Sequence, residues 1–535
     1  MFQILVADKI ADKGVEMLKS QEGFEVIEAY GSSKEEILKL VPTVSAIIVR
    51  SETKVDADVI AAAPLLKAVG RAGVGVDNID IEAATERGIV VVNTPGGNTI
   101  ATAELTFTHM LCSARPIPQA DRSMKEGRWD RKILKGVELM GKTLAILGLG
   151  RIGTEVAQRA QAFGMAVIAY DPYLTDARAK SLNVEKVELE NIWARADYIT
   201  VHMPLTDKTR NIVNEDSFAK MKNGVRLVNC ARGGLIQESA LLKAIESGKV
   251  AAAGLDVYES EPLPEDHPFR SCNKVGLTPH LGASTQEAQY NVGVEIAESI
   301  AKILLTGSVN NAVNMPSVDA HTLKILKPYL ELGHILGTTL QQLTPDTIQK
   351  VDITYYGRLA ELETLPLNRA IQKGYLSKIL GETINDVNAG LHMKRLGIEV
   401  EVTVSNTDTA YSELIQVVAT LENGEKVSVE GTVMGRDAKP RIVSINERDL
   451  EITPRNVLLM VENKDMPGMV GMLGNILGAH DVNIANMTLN RQDLGSNALA
   501  VFELDEFPSQ EAIDKISASD RIFSMKLVDL RKAKK

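Results

Sequence analysis

Three charged residues, each placed just after a short apolar run, have the types needed for proton and carboxylate chemistry: Arg232 in LVNCARGG, Glu261 in GLDVYESEP and His280 in GLTPHLGAST. Moving a hydride from a hydroxyl-bearing carbon requires a base for the hydroxyl proton, a group that steers that base, and a cation for a substrate carboxylate. Histidine exchanges protons near neutral pH, which suits His280 to the role of base. Glu261 is then the carboxylate that fixes its tautomer and steadies the imidazolium. Arg232 offers a planar fork that matches a carboxylate and polarises the neighbouring carbonyl. Taken singly, each has a plainer structural reading: Arg232 as a surface ion pair, Glu261 as a solvated loop acid and His280 as a satisfied cap.

A hydride also needs an acceptor. The strand Thr143 to Leu147 runs directly into Gly148-Leu149-Gly150-Arg151-Ile152-Gly153, then the helical TEVAQRAQAFG, the run MAVIAY and Asp171. Gly148 permits the tight turn, Gly150 lets the backbone approach a pyrophosphate, and Gly153 allows close helix packing. The helix amino terminus presents unpaired N–H groups to negative charge. Asp171 lies 18 positions after Gly153, close to the spacing at which a carboxylate accepts the adenosine ribose hydroxyls and repels a 2′-phosphate. The expected cofactor is NAD rather than NADP; the structural alternative is a glycine-rich turn with a capping Asp.

These groups need a frame to hold them. From the start to about residue 315, short β-branched runs (ILVAD, FEVIEAY, AIIVR) alternate with helical stretches, which predicts a parallel α/β sheet. The interval from Ala101 to Gly127 is helix-like and leads into a basic, Trp-containing stretch with Arg128, Trp129, Arg131 and Lys132; a fresh strand then opens a second α/β unit. After Asn310 to Pro316 the texture changes to an amphipathic stretch, Leu323 to Leu340, with strands VDITYYG, IEVEVTVS and KVSVEGTVM and a helical LPLNRAIQKGYL, an α+β pattern. Beyond Pro454 and Arg455 the order is βαββαβ, the ferredoxin-like arrangement, ending in a charged RKAKK tail expected to be solvated.

A length of 535 residues predicts three or four domains. The net charge of −11 argues against a general nucleic-acid or anionic-membrane binder, so an anionic ligand must meet local positive charge. Cys112, Cys230 and Cys272 are far apart with no CxxC spacing, which indicates neither a disulfide framework nor a zinc site and fits a reducing cytoplasm. Asp8, Lys9, Asp12 and Lys13 interrupt any signal-peptide core, and no apolar run approaches the ~20 residues of a membrane span.

The glycine loop, the Asn-x-Ala-Arg-Gly-Gly segment at Arg232, the Asp-Val-Tyr-Glu-x-Glu-Pro run through Glu261 and the Pro-His pair at His280 occur in the order shared by the D-2-hydroxyacid dehydrogenase family, which the chain resembles. The resemblance implies a Rossmann-like nucleotide-binding domain inserted in a flavodoxin-like substrate domain. It gives Arg232 the role of substrate arginine, Glu261 that of histidine-orienting acid and His280 that of acid/base. It further implies that Val74, Pro204, Cys230, Asp256 and Gly282 line the cofactor together with Arg232 and His280; Met203 departs from the threonine common in relatives.

Within the family the chain is most similar to the long-form branch that oxidises D-3-phosphoglycerate to 3-phosphooxypyruvate at the start of L-serine synthesis. That similarity implies a substrate domain at 1–97 and 284–316, an NAD domain at 98–283, an intervening domain at 317–452 and an ACT regulatory domain at 453–535. The RSETK and GRAGVGVDNID segments resemble its substrate region: Arg50 would hold the phosphate, with Ser51, Val74 and Gly75 nearby and Arg131 supplied by a neighbouring subunit. The plain alternatives are a strand-end ion pair for Arg50 and a solvated helix face for Arg131. In the last unit, Asn463, Asp465 and Asn483 stand where long-form relatives bind L-serine between subunits, against the alternative of an interaction-only module in which Asp465 caps a helix. Asn463 replaces an aromatic residue of some serine-binding relatives, and the intervening domain is the one that takes an anionic effector in some members. The expected assembly is a homo-oligomer, a dimer through the nucleotide domain and a tetramer through the tail. The competing functions are a glyoxylate or hydroxypyruvate reductase, which usually lacks the carboxy-terminal extension, and a non-enzymatic NAD sensor, which would tolerate loss of the catalytic residues retained here.

Overall fold

A computed structural model describes residues 1–316, 320–344, 347–491 and 497–531. Most of the charged tail, Lys532 to Lys535, and the expected domain junction at 317 lie outside those residues. Arg531 is exposed, pairs with Asp529 at 3.0 Å and lies 4.7 Å over the Phe507 ring.

Phe2–Val6, Phe24–Glu28, Ala46–Val49, Ala68–Arg71 and Val90–Asn93 form a parallel sheet in the spatial order second, first, third, fourth, fifth, the flavodoxin-like winding. The run AIIV is buried at every position because helices cover both faces of such a sheet. The long helix Gln286–Thr306 returns to this sheet and packs Val292, Ile296, Ile300 and Ile303 into the core around Ile4, Ile48 and Val92.

A second, all-parallel sheet contains Thr143–Leu147, Ala166–Tyr170, Glu185–Lys186, Tyr198–Val201, Val225–Asn229, Val250–Leu255 and Val275–Leu277. In space the first three strands run outward in one direction and the last four in the other, so the order reverses between Thr143–Leu147 and Tyr198–Val201. Such a switch point opens a crevice at the strands' carboxyl ends. The helix-like Ala101 to Gly127 is two helices, Thr99–Ala114 and Ile117–Lys125. Pro116 separates them, because proline drives the residue before it out of the helical region, and Arg115 is extended at φ −123° and ψ 111°.

The carboxy-terminal part holds a six-stranded mixed sheet, including Ile348–Gly357 and Glu399–Ser405, against the helices Ala320–Leu343 and Leu365–Leu380. It is followed by a four-stranded antiparallel sheet in the fourth-first-third-second order of a ferredoxin-like fold. Alternation in VLLMV explains how the two join. Leu458 and Met460 face the core of the preceding domain with Val501 and Val528, whereas Val457, Leu459 and Val461 face the helices through Leu473, Leu477 and Ile516. Helix Ala389–Arg395 and the turn before it tie this half to the first sheet: Asn385 Nδ2 donates to Gly88 O at 2.8 Å, and Arg395 pairs with Glu86.

Candidate active site

Arg232, Glu261 and His280 follow three adjacent strands of the second sheet, and the fold brings two of them into direct contact. His280 Nδ1 lies 2.7 Å from Glu261 Oε2, with the imidazole about half exposed toward the cleft. Glu261 is anchored through its other oxygen, which accepts the Tyr258 N–H at 3.0 Å. Burial pushes this carboxyl up, but the His280 hydrogen bond and charge, the Tyr258 N–H and the Arg232 charge together hold it below the usual carboxylate range. An ionised Glu261 keeps the proton on Nδ1 and leaves Nε2 facing the cleft as the acceptor.

His280 itself is held by the backbone. It sits at φ +55°, a conformation uncommon for a side chain of its size, and its N–H donates to Asp256 O at 2.9 Å. The fully buried Asp256 carboxylate accepts Thr278 Oγ1 at 2.6 Å, Leu281 N at 2.7 Å and Gly282 N at 2.9 Å, fastening the loop on both sides of His280. Thr102 Oγ1 donates to Gly282 O at 2.9 Å, and His109 Nε2 is 2.9 Å from Thr278 Oγ1, both from the helix Thr99–Ala114.

Arg232 is presented by a loop with no spare room. Asn229 Nδ2 donates to Arg232 O and Asn229 Oδ1 accepts from Ala231 N, while a Cβ on Gly233 would fall 1.7 Å from Tyr258 O. Across the cleft, Arg232 Nε is 3.1 Å from Asp77 Oδ2, and a Cβ on Gly75 would lie 1.8 Å from Nη2. The Val74-Gly75 turn therefore meets Arg232 face to face; Val74 O accepts from Asn93 Nδ2 at 2.5 Å.

The carboxyl ends of the first sheet add more positive charge. Arg50 follows the strand Ala46–Val49, and its loop, with the exposed Ser51, is wrapped around the buried Asp8: Asp8 accepts from Arg50 N at 2.6 Å and from Thr53 N and Oγ1. Arg71 ends the next strand with its guanidinium against Gly73, where a Cβ would come within 2.2 Å of Nη1, and its buried Nε has no acceptor. Burial, with the charges of Arg232 and Arg50, drives Arg71 down to about 10, only partly offset by Asp77 and Asp8. The sequence carries no site motif at Arg71, and Asp8 is read there only as a charge that interrupts a signal-peptide core, although each stands at the carboxyl end of a strand of the first sheet, the position at which α/β folds hold ligands. Thr102 and His109, on a helix face, carried no such signal. Arg131 lies on an exposed turn and makes no hydrogen bond or ion pair among the described residues.

The nucleotide crevice fits a dinucleotide. Gly148 sits at φ +94° with its Cα so close to the His202 carbonyl that a Cβ would be 2.6 Å from it, and a Cβ on Gly153 would meet Gly148 O at 2.3 Å; Gly150 opens on empty space, as a pyrophosphate requires. The helix Arg151–Ala162 starts at Gly150 with no side-chain cap, leaving its N–H groups free for phosphate, and Ile152 packs underneath. Asp171, after the next strand, accepts from Leu149 N at 2.9 Å and Tyr173 N at 2.8 Å. Pro204 O accepts from Thr209 Oγ1, and Met203 is buried against the loop. Burial pushes the Cys230 thiol up to about 12, so it stays protonated and serves packing.

In the last domain, the three expected effector residues are engaged locally. Asp465 pairs with Arg491 at 3.2 Å, Asn483 Nδ2 donates to Asp505 Oδ2 at 2.6 Å, and Asn463 is buried with Oδ1 lacking a donor.

The model of the D-isomer-specific 2-hydroxyacid dehydrogenase NAD-binding domain matches residues 107–282, and that of the D-3-phosphoglycerate dehydrogenase intervening domain matches 325–446. The D-3-phosphoglycerate dehydrogenase of Methanocaldococcus jannaschii is 43% identical over 531 residues, covering 99% of this chain and 100% of that one. That of Archaeoglobus fulgidus is 42% identical over 530 residues with the same coverage. A solved glyoxylate reductase from Paecilomyes thermophila superposes with a TM-score of 0.55 at 33% identity, but covers only 58% of this chain against 98% of its own. The end-to-end relatives share the carboxy-terminal extension that the reductase does not match, and the chain belongs to the D-3-phosphoglycerate dehydrogenases of the D-isomer-specific 2-hydroxyacid dehydrogenase family.

Proposed function

We propose that the chain performs the NAD-dependent oxidation of D-3-phosphoglycerate to 3-phosphooxypyruvate, the first step of L-serine biosynthesis, with His280 as the base. The observation that carries the reading is the 2.7 Å Glu261–His280 pair opening onto a cleft that Arg50, Arg71 and Arg232 make positive in an acidic protein. A substrate with a carboxylate at one end and a phosphate at the other needs that charge. Arg232 grips the carboxylate and polarises the C2 oxygen; Arg50 and Arg71 hold the phosphate; His280 Nε2 removes the C2 hydroxyl proton, while Glu261 keeps the ring oriented and offsets the imidazolium charge. NAD bound on the glycine loop supplies the hydride acceptor. Asp256, through the loop it fastens, positions His280.

The carboxy-terminal domain acts as a serine-responsive regulator in this reading, supported by its ferredoxin-like order and by the buried Asn463 oxygen that lacks a donor. Asp465 must leave Arg491 to accept an effector ammonium. A dimer through the nucleotide domain is supported by Trp129, Ile133 and Met140, each more than 70% exposed on the stretch that carries Arg131; tetramer formation through the tail extends this reading. In that assembly Arg131 reaches the neighbouring subunit's phosphate.

His280→Gln tests the chemistry. The variant is expected to keep its NAD affinity, read by fluorescence titration, and to lose at least ~10²-fold in kcat with phosphoglycerate; near wild-type turnover would remove His280 from the reaction. L-Serine is expected to suppress wild-type turnover and to do so less in Asp465→Ala, and equal inhibition of the two would move the effector elsewhere.

A further inference from the structure

Behind the Glu261–His280 pair, two carboxylates and an imidazole join the loops that carry Arg232 and Glu261. Helix Glu238–Glu246 starts shortly after Arg232, and its N-cap residue Gln237 supplies no side-chain bond. Glu259, from the next loop, takes that part: its Oε1 accepts the Glu238 N–H at 3.0 Å, and in return Glu238 Oε1 accepts the Glu259 N–H at 2.8 Å. The second oxygen of Glu238 lies 3.2 Å from His267 Nε2. His267 Nδ1 accepts from Phe269 N at 3.3 Å, which leaves the ring proton on Nε2 as the donor to Glu238.

This exchange centres on one peptide group, Tyr258–Glu259. On one side it lies against the residue after Arg232: a Cβ on Gly233 would fall 1.7 Å from Tyr258 O and 2.8 Å from Glu259 N. On the other side the Tyr258 N–H holds Glu261 Oε1 at 3.0 Å. Whatever fixes the plane of this peptide therefore sets both the Arg232 turn and the carboxylate that orients His280. The Glu238 side chain is only 13% exposed. Burial pushes its carboxyl up, against the pull of the Glu259 N–H and of His267. A hydroxyl or amide at the N-cap would satisfy the helix without bringing two like charges together, so capping alone does not account for the arrangement. We propose that Glu238 is a positioning residue of the dehydrogenase site, locking the Arg232 loop to the Glu261 loop through the Glu259 N–H, with His267 holding its carboxylate in place. The proposal rests on the reaction assigned above and deepens it.

The test compares Glu238→Ala and Glu238→Gln with the wild-type chain; glutamine keeps an oxygen for the Glu259 N–H and alanine does not. Glu238→Ala is expected to lower kcat/KM for phosphoglycerate by about tenfold or more, through a lower kcat and a higher KM. NAD affinity, read by fluorescence titration, is expected to stay unchanged, because the glycine loop follows Thr143–Leu147, beyond Tyr198–Val201 in the sheet. Glu238→Gln is expected to recover most of the loss. Wild-type kinetics in Glu238→Ala, equal impairment of the two variants, or a matching fall in NAD affinity would overturn the proposal. If the wild-type chain oxidises D-glycerate and not phosphoglycerate, the substrate reading fails, and the same comparison on D-glycerate decides the role of Glu238.

Discussion

Arg50 and Arg71 approach the cleft from the first sheet, whereas Arg232 comes from the second, and this split makes their roles separable. Arg50→Ala is expected to raise KM for D-3-phosphoglycerate on the order of 10- to 100-fold, the loss of a charge-assisted contact, with a much smaller change for D-glycerate. Equal effects on both substrates would remove Arg50 from the phosphate. Asp171→Asn is expected to raise the ratio of kcat/KM for NADP over NAD by about tenfold or more, because repulsion of the 2′-phosphate is relieved; an unchanged ratio would leave Asp171 only its hydrogen bonds to Leu149 N and Tyr173 N. At this scale the sequence was informative wherever a residue type and a motif coincided, as for Arg232, Glu261, His280 and the glycine loop. It was silent on Asp8, whose carboxylate shapes the Arg50 loop through backbone N–H groups from residues more than 40 positions away.

Elements carry the site because the catalytic loops sit at strand ends and are locked against one another. Gly233→Ala drives a Cβ into the Tyr258 carbonyl, so a loss of several kcal/mol in stability or a displaced Arg232 is expected; urea unfolding and substrate KM distinguish the two, and a variant unchanged in both would contradict the packing described. His202, partly buried beside the glycine loop with its Nδ1 buried and unpartnered, is driven by burial down to about 4. Its pKa when unfolded is near 6.5, so the unfolded chain binds the proton more readily. Stability from this residue is complete above about pH 6.5 and falls by roughly 3 kcal/mol as the pH drops toward 4. His202→Gln is expected to flatten that part of the urea-midpoint profile, and parallel profiles would refute the linkage. The ferredoxin-like order was readable because its central strands, Val457–Lys464 and Asn497–Leu504, are near-continuous apolar runs and its helices, Met469–Ala479 and Gln510–Ser517, carry apolar residues at helical spacing. The break at Pro116 was legible in principle from proline's effect on Arg115. Strands Lys439–Ile445 and Arg448–Ile452 were hidden by Pro440, Arg441 and Asp449, whose polar and ring side chains blur the alternation.

For the whole molecule, the two-sheet body, the intervening domain and the final sheet are joined by buried apolar contacts rather than by exposed ion pairs alone. Val387, which enters the first sheet's core, and Asn385 at Gly88 connect the carboxy-terminal half to the substrate side of the cleft. The proposed assembly rests on the exposed Trp129, Ile133 and Met140. Ile133→Asp is expected to shift sedimentation toward a smaller species and, through loss of Arg131 from the neighbouring cleft, to raise KM for phosphoglycerate; an unchanged sedimentation coefficient would place the interface elsewhere. Coarse architecture was legible from the alternation of elements, while contacts between domains were not, since they depend on which buried face meets which. The most direct measurement is the initial rate of NADH formation by the purified full-length chain with NAD, a carbonyl trap, and either D-3-phosphoglycerate or D-glycerate. A kcat/KM for the phosphorylated substrate higher by at least about two orders of magnitude is the expected result, and equal or faster turnover of D-glycerate would contradict the account.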